Sequence, residues 1–192
     1  MGITTNDFFE NICSVIFSPK SFFERDDLTV SVRLALGTVV FIAILNKIAA
    51  GIFDKSIASV MFIPSIIWHI FITLILWFIT ALFFEYIAKI FDRGGNFNKL
   101  LFYTAFAPVP YILFAPLDLI KQSSDVFYIL ASVTEFFIYL WIIWLYALSL
   151  KKVYNLSNAR ALMMIFIPFI SIFFAIYWIV CFFNKLWYIF SI

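Results

Sequence analysis

Residues 60–84 read VMFIPSIIWHIFITLILWFITALFF and contain no aspartate, glutamate, lysine or arginine. A helix needs about 20 predominantly apolar residues to cross the hydrocarbon layer of a bilayer, because each residue adds about 1.5 Å of length. This stretch therefore predicts a transmembrane helix. His69 is the only histidine of the chain, and its position within such a helix requires an explanation.

Stretches of the same kind recur along the chain. Of the 192 residues, 65% are hydrophobic and 12% are charged, whereas about 25% are charged in a typical soluble domain. We therefore predict an all-α fold, a polytopic transmembrane bundle of five helices. The predicted spans cover residues 34–52, 60–84, 100–120, 126–150 and 161–183.

Short connections between these spans leave room for one helical bundle and for no soluble catalytic domain. We divide the chain into a cytoplasmic amphipathic segment, residues 1–31, and a five-span transmembrane domain, residues 32–192. The formal net charge is only +2, and phosphate binding needs several convergent lysines or arginines, so nucleic acid is not an expected partner. Cys13 and Cys181 are predicted to be single thiols, and with one histidine they build no usual zinc site, so no cofactor is expected.

The lysines and arginines predict the orientation, because basic residues stay preferentially on the cytoplasmic side. Nine of the 13 precede the first span or connect spans two to three and four to five. They are Lys20, Arg25, Arg33, Lys89, Arg93, Lys99, Lys151, Lys152 and Arg160. The amino terminus is therefore predicted to be cytoplasmic and the carboxyl terminus outside or lumenal. The membrane would be the cell inner membrane in a prokaryote, and the endoplasmic reticulum or Golgi in a eukaryote.

The segment before the first span predicts a short amphipathic helix. Phe8, Phe9, Ile12, Val15 and Ile16 recur at helical spacing, with Asp7, Glu10, Asn11 and Ser14 on the other face. Ser18-Pro19 then predicts an N-cap followed by proline at the first position of a second helix. These helices either lie flat on the cytoplasmic leaflet or pack on the cytoplasmic end of the bundle.

The clearest break in the chain is Asp92-Arg93-Gly94-Gly95-Asn96. Gly94 and Gly95 permit positive φ angles, which predicts a tight reversal and a loop hinge between the second and third spans. A phosphate-binding loop is disfavoured, because neither GxxxxGK[ST] nor GxGxxG is present.

The third span contains Pro108, Pro110 and Pro116. Proline has no N–H to bond the carbonyl four residues earlier, so this helix is predicted to be kinked or broken and shielded from lipid. A packing kink is the favoured interpretation. A substrate or ion site at a broken helix is the alternative.

Two ionisable residues are predicted to lie at membrane depth. His69 and Glu135 each follow the start of a predicted span by nine residues, which places both about 13 Å from the outer helix ends. An unpaired ionisable group there costs a few kcal/mol, so we predict that the two side chains pair inside the bundle. Such a pair either locks two helices together, the favoured interpretation, or relays protons or binds a polar ligand.

Five short motifs follow one another along the chain: Ser18-Pro19-Lys20-Ser21-Phe22-Phe23, Gly94-Gly95-Asn96-Phe97, Pro108 with Pro110, Trp141 with Trp144, and Asn158-Ala159-Arg160-Ala161-Leu162 followed by Pro168. Taken in this order, they resemble the Yip-domain family, the polytopic membrane proteins named for interacting with Ypt/Rab GTPases. The resemblance implies five spans, a cytoplasmic amino terminus and no enzymatic activity, and in eukaryotic members a role in vesicle transport. The Asp-Leu-Tyr-Gly-Pro type of motif is absent, so the chain is similar to the short prokaryotic members.

We predict a non-enzymatic integral membrane protein that organises the membrane or binds other membrane proteins. Its expected partners are the lipid bilayer and other membrane proteins, including a second copy of the chain. The alternative is a small transporter or lipid-translocating protein that uses the broken third span with His69 and Glu135. A cavity lined by Pro108, Pro110, His69 and Glu135 would favour transport, and a tightly packed bundle would favour the interaction role.

Overall fold

The computed structural model describes residues 5–25, 30–53, 56–91, 94–121 and 124–190, and its regular structure within these ranges is helical. The helices are α1 (Thr5–Phe17), α2 (Pro19–Glu24), α3 (Val32–Phe53), α4 (Phe62–Ile90), α5 (Phe97–Phe106), α6 (Phe114–Lys121), α7 (Asp125–Tyr154) and α8 (Asn158–Phe190). Short 3-10 helices, Ser56–Ala58 and Val109–Leu113, precede α4 and α6. The all-α prediction is confirmed.

Four segments in the described ranges are long and apolar enough to cross a membrane: Val32–Ile52, Phe62–Ile90, Phe97–Lys121 and Asp125–Tyr154. They correspond to the first four predicted spans. α8 is 33 residues long, and its segment Asn158–Ile167 is a shorter apolar helix. That α8 crosses the membrane, and therefore that the chain has five spans, stays a prediction.

The third span forms the centre of the bundle. Of its most apolar window, 61% is buried inside the protein, against 11% for Phe62–Ile90 and 17% for Asp125–Tyr154. α3, α4 and α7 all contact α5, and Leu100, Phe102 and Phe106 are completely enclosed. Of the four described spans, the one that the prolines were predicted to break is thus the most buried inside the protein.

The break itself follows the prolines. α5 ends at Phe106, the 3-10 helix begins at Val109, and α6 begins at Phe114. Pro108 precedes the 3-10 helix, Pro110 lies in its first turn and Pro116 lies in the first turn of α6. Proline is tolerated at these positions, because the N–H groups of a first turn have no acceptor within the helix.

The amino-terminal helices pack against the bundle. Val15 on α1 and Phe22 and Phe23 on α2 are buried in the same core cluster as α3, α4 and α5. The Phe22 ring lies 5.0 Å from the Phe106 ring, and the Phe23 ring lies 5.7 Å from Tyr103. α2 begins at Pro19 with Ser18 at the N-cap position, as the sequence predicts, but the Ser18 side chain makes no capping hydrogen bond.

The predicted faces of α1 need a correction. Asn11 is only 8% exposed, whereas Phe9 is 55% exposed. Successive residues are turned by about 100° around a helix, so Phe8 and Phe9 cannot both face the bundle squarely. Phe8 packs on Phe41 of α3, with 5.4 Å between the rings. Asn11 lies one turn before the enclosed Val15 and so shares its buried face.

Candidate functional site

His69 lines a cavity of about 340 Å³ bounded by α3, α4, α7 and the 3-10 helix at Val109–Leu113. We call it the His69 cavity. Its polar lining residues are Asn46, His69, Thr73, Thr80, Tyr111 and Tyr146. Its apolar lining residues are Val39, Ile42, Ala43, Leu76, Trp77 and Pro108.

Hydrogen bonds fix the helix walls of this cavity. The hydroxyl of Thr73 donates to the carbonyl of His69 at 2.8 Å, one turn earlier on α4. The indole N–H of Trp77 donates to the hydroxyl of Thr104 at 3.2 Å, which ties α4 to the buried α5. In the described part of the chain, the imidazole of His69 makes no hydrogen bond or ion pair. It is therefore available to a ligand or to water in the cavity.

The proline region contributes only in part to the cavity. Pro108 lies in its wall. Pro110 is not among the lining residues and is completely buried, and Pro116 lies further on, in α6. Of the four residues that the sequence assigned to a transport cavity, the structure brings two together, His69 and Pro108.

Glu135 has another partner. Its carboxylate lies 2.5 Å from the Nζ atom of Lys121, which also contacts Asp118 at 3.6 Å. α6 packs along α7, which brings the end of α6 to Glu135. Lys121, rather than His69, is therefore the partner of Glu135 in this structure. Spacing along the sequence predicts how far along a helix each residue lies, but not the direction in which its side chain points.

Gly94 and Gly95 do not use positive φ, because no described glycine has one. The reversal between α4 and α5 therefore does not rest on left-handed glycine backbone, and the loop hinge stays a prediction. Gly95 is needed for space instead: a Cβ atom there would overlap the Tyr154 ring, while a Cβ atom on Gly94 would meet nothing within 4 Å. Asn96 then caps α5, and its side-chain oxygen accepts from the backbone N–H groups of Asn98 and Lys99.

The ring above Gly95 belongs to a polar cluster that the sequence did not reveal. The Tyr154 hydroxyl donates to the Glu85 carboxylate at 2.5 Å, and Lys89 contacts the same carboxylate at 3.6 Å. We call Glu85, Lys89, Gly95 and Tyr154 the Tyr154 cluster. It joins the last turns of α4 and α7. No spacing pattern connects residues so far apart in sequence, so sequence reasoning offered no signal for it.

The described residues contain no group of three histidine, cysteine, aspartate or glutamate side chains placed to hold a metal ion. What the arrangement offers is a part-polar cavity inside a bundle of apolar helices, with one imidazole, one amide, two threonine hydroxyls and two phenols in its wall. Such a lining can bind a small ligand that has both polar and apolar parts.

Apolar helices of spanning length around a buried, broken third span define a multi-pass integral membrane protein. Comparison with known families gives a more specific result. Residues 13–179 match the model of the Yip1 domain, and the chain belongs to the Yip1 domain family. No curated protein and no solved structure shows a significant match to the chain.

Proposed function

We propose that this chain is a non-enzymatic integral membrane protein that organises the membrane or binds other membrane proteins through its outward surface. The observation that carries the proposal is the small buried share of two spans. Only 11% of the Phe62–Ile90 window and 17% of the Asp125–Tyr154 window are buried inside the protein. Most side chains of α4 and α7 are therefore available to lipid or to another protein.

The exposed surface is rich in aromatic side chains. Trp68 and Phe71 on α4 stack with their ring centroids 5.9 Å apart, and Phe136 and Phe137 on α7 are also exposed. Large, rigid rings contribute much contact area at low cost in conformational entropy, which suits lateral binding. Members of the Yip1 family are known as non-enzymatic membrane trafficking proteins, and this supports the same role here.

Photo-crosslinking in native membranes tests the proposal. A photoreactive phenylalanine at position 71 or 137 should give a discrete protein adduct of defined stoichiometry, with another membrane protein or with a second copy of the chain. The matched control is the same probe at the buried Phe102, which should give none. If both exposed positions gave adducts with lipid alone, the proposal that this surface binds other proteins would be overturned.

The proposed orientation has five crossings, a cytoplasmic amino terminus and a carboxyl terminus on the other side. It is supported by the excess of lysine and arginine in alternate connections. Reporters fused at Met1 and Ile192 should be accessible from opposite sides of the membrane. Signals from one compartment would contradict an odd number of crossings.

A second candidate function is the transport of a small solute or the translocation of lipid. The specific observation in its favour is the His69 cavity beside the broken third span. Because Glu135 lies outside the cavity lining, this candidate now depends on His69 and Pro108. Because Glu135 pairs with Lys121 instead, it is a suitable control position.

Reconstituted liposomes test this second function. Translocation of fluorescent phosphatidylcholine and proton flux would be measured for the wild type, His69→Ala and Glu135→Gln. Transport through the cavity predicts activity that His69→Ala reduces strongly and that Glu135→Gln leaves closer to the wild-type rate. Absence of both activities in correctly inserted protein would exclude these two cargoes.

A further inference from the structure

A second cavity, of about 190 Å³, lies where α2 meets the carboxyl end of α7. Its lining residues are Lys20, Phe23, Glu24, Leu148, Lys151, Lys152 and Asn155. The volume is below the roughly 300 Å³ at which pockets for drug-sized ligands begin. It is therefore suited to a small group and not to a large organic ligand.

Positive charge predominates in this cavity. Three lysines line it against one glutamate. The Lys152 ammonium donates to the backbone carbonyl of Glu24 at 3.3 Å, which fixes α2 against α7. Lys20 and Lys151 form no ion pair with any described residue. Like charges that converge at one site repel each other unless an anion is bound between them.

Helix dipoles explain only some of these lysines. Lys151 and Lys152 lie in the last turn of α7, where cations are favoured by the partial negative charge of the helix end. Lys20 lies in the first turn of α2, where a cation is disfavoured. The helix dipole therefore does not account for Lys20, whereas an anion shared with the other two lysines would.

The wall beneath the charges is apolar. Phe23 is buried and Leu148 is partly buried, while Lys20, Lys151 and Asn155 are exposed at the rim. α7 ends at Tyr154, the end of its candidate membrane-spanning segment, so the proposed insertion places the cavity at the depth of the lipid headgroups. Basic pockets between helices at the membrane surface are typical sites for anionic headgroups.

We propose that this cavity binds the phosphate group of an anionic lipid headgroup, with Lys20 and Lys151 as its main ligands. The inference rests on the proposed membrane insertion, which places the cavity at the bilayer surface. It goes beyond that function, since it names a lipid ligand and the residues that select it.

The test titrates the full-length protein in detergent with dioctanoyl phosphatidylglycerol and with dioctanoyl phosphatidylcholine. Binding to phosphatidylglycerol should be at least about tenfold tighter, because two unpaired lysines meet its negative headgroup. Lys20→Gln and Lys151→Gln should each weaken it about fivefold. Lys99→Gln, which removes an exposed charge outside the cavity, should change it less than about twofold. Equal binding of the two lipids, or an equal loss in all three variants, would overturn the proposal.

A further arm separates two sources of phosphate. Glycerophosphoglycerol carries the same phosphodiester headgroup without acyl chains. Binding much weaker than that of phosphatidylglycerol supports a lipid ligand; equally tight binding would overturn the lipid assignment in favour of a soluble phosphate compound. Resistance of each variant to alkaline extraction from membranes reports insertion separately. Loss of lipid preference in an inserted protein would therefore refute this proposal and leave the proposed function standing.

Discussion

The Tyr154 cluster and the His69 cavity are packed in opposite ways, although α4 contributes to both. At the cluster, Tyr154 covers Gly95 so closely that no side chain fits there, and a hydrogen bond to Glu85 holds the ring. At the cavity, about 340 Å³ remains unfilled between the same helices. His69 and Glu85 are separated by about 24 Å along α4. One helix is thus fixed at one end and leaves space at the other.

The difference shows where the molecule can accept change. Close packing transmits any added or removed atom to its neighbours, whereas an internal space absorbs it. The end of α4 at the cluster should therefore act as a fixed point, and the region around His69 as the part that can adapt to a ligand. Substitutions that add a similar volume at the two places should therefore lower the free energy of unfolding by different amounts.

Phe22→Ala should have the largest effect on the packed side of the molecule. Phe22 is completely buried against Phe106, and truncation of a buried phenylalanine costs about 3–5 kcal/mol. The measurement is the free energy of unfolding in mixed micelles with increasing SDS. Phe17→Ala, at a side chain that is 81% exposed, is the matched control and should stay within about 0.5 kcal/mol. A similar loss in both variants would show that α2 is not anchored by Phe22.

Lys121→Met should destabilise the protein by about 2–3 kcal/mol, because it leaves the Glu135 carboxylate unpaired at membrane depth. Adding Glu135→Leu should recover most of the loss. The same unfolding measurement on His69→Leu, alone and combined with Glu135→Leu, gives the second double-mutant cycle. Strong coupling of Glu135 to His69 and weak coupling to Lys121 would restore the pairing predicted from sequence and would move Glu135 into the cavity.

Gly95→Ala should cost about 1–3 kcal/mol, since the added methyl displaces the Tyr154 ring and disturbs its hydrogen bond to Glu85. Gly94→Ala is the control in the same loop, because its methyl meets no neighbour within 4 Å. The difference between the two melting temperatures isolates the contact with Tyr154. Equal shifts would mean that both glycines serve the loop through backbone freedom, as the sequence first suggested.

Features of the fold that have a local cause could be predicted from the sequence. Apolar runs of spanning length predict helices because only an internally hydrogen-bonded backbone is stable in hydrocarbon. α3, α4 and α7 correspond to three of the predicted spans, and α4 begins two residues later than predicted. Pro108 and Pro110 predict a break because each removes a donor from the helix, and the break occurs between Phe106 and Phe114.

Features that depend on the rotation of one helix against another could not be predicted from the sequence. The buried face of α1, the Lys121–Glu135 pair and the contact of Gly95 with Tyr154 all depend on which way a helix is turned. In a helix that is apolar all round, the pattern of residues does not specify that angle. α4 and α7 are of this kind, so their partners could be assigned by depth but not by direction.

Ala43→Leu should have the smallest effect and directly tests the unfilled space. Ala43 and Ala88 are both buried, but Ala43 lies in the wall of the His69 cavity, so we expect a larger side chain there to turn toward the unfilled space, with a change below about 1 kcal/mol. Ala88→Leu is the matched control on the last turns of α4, because Ala88 lines neither of the cavities described above and about 1–3 kcal/mol should be lost. Both are measured as SDS unfolding free energies. If Ala43→Leu proved as costly as Ala88→Leu, the two regions would be packed alike and the cavity could not receive a ligand without rearrangement. If Ala43→Leu is tolerated, the same variant also tests transport, because a leucine that narrows the cavity should slow any solute or lipid that enters beside His69 while the fold remains intact.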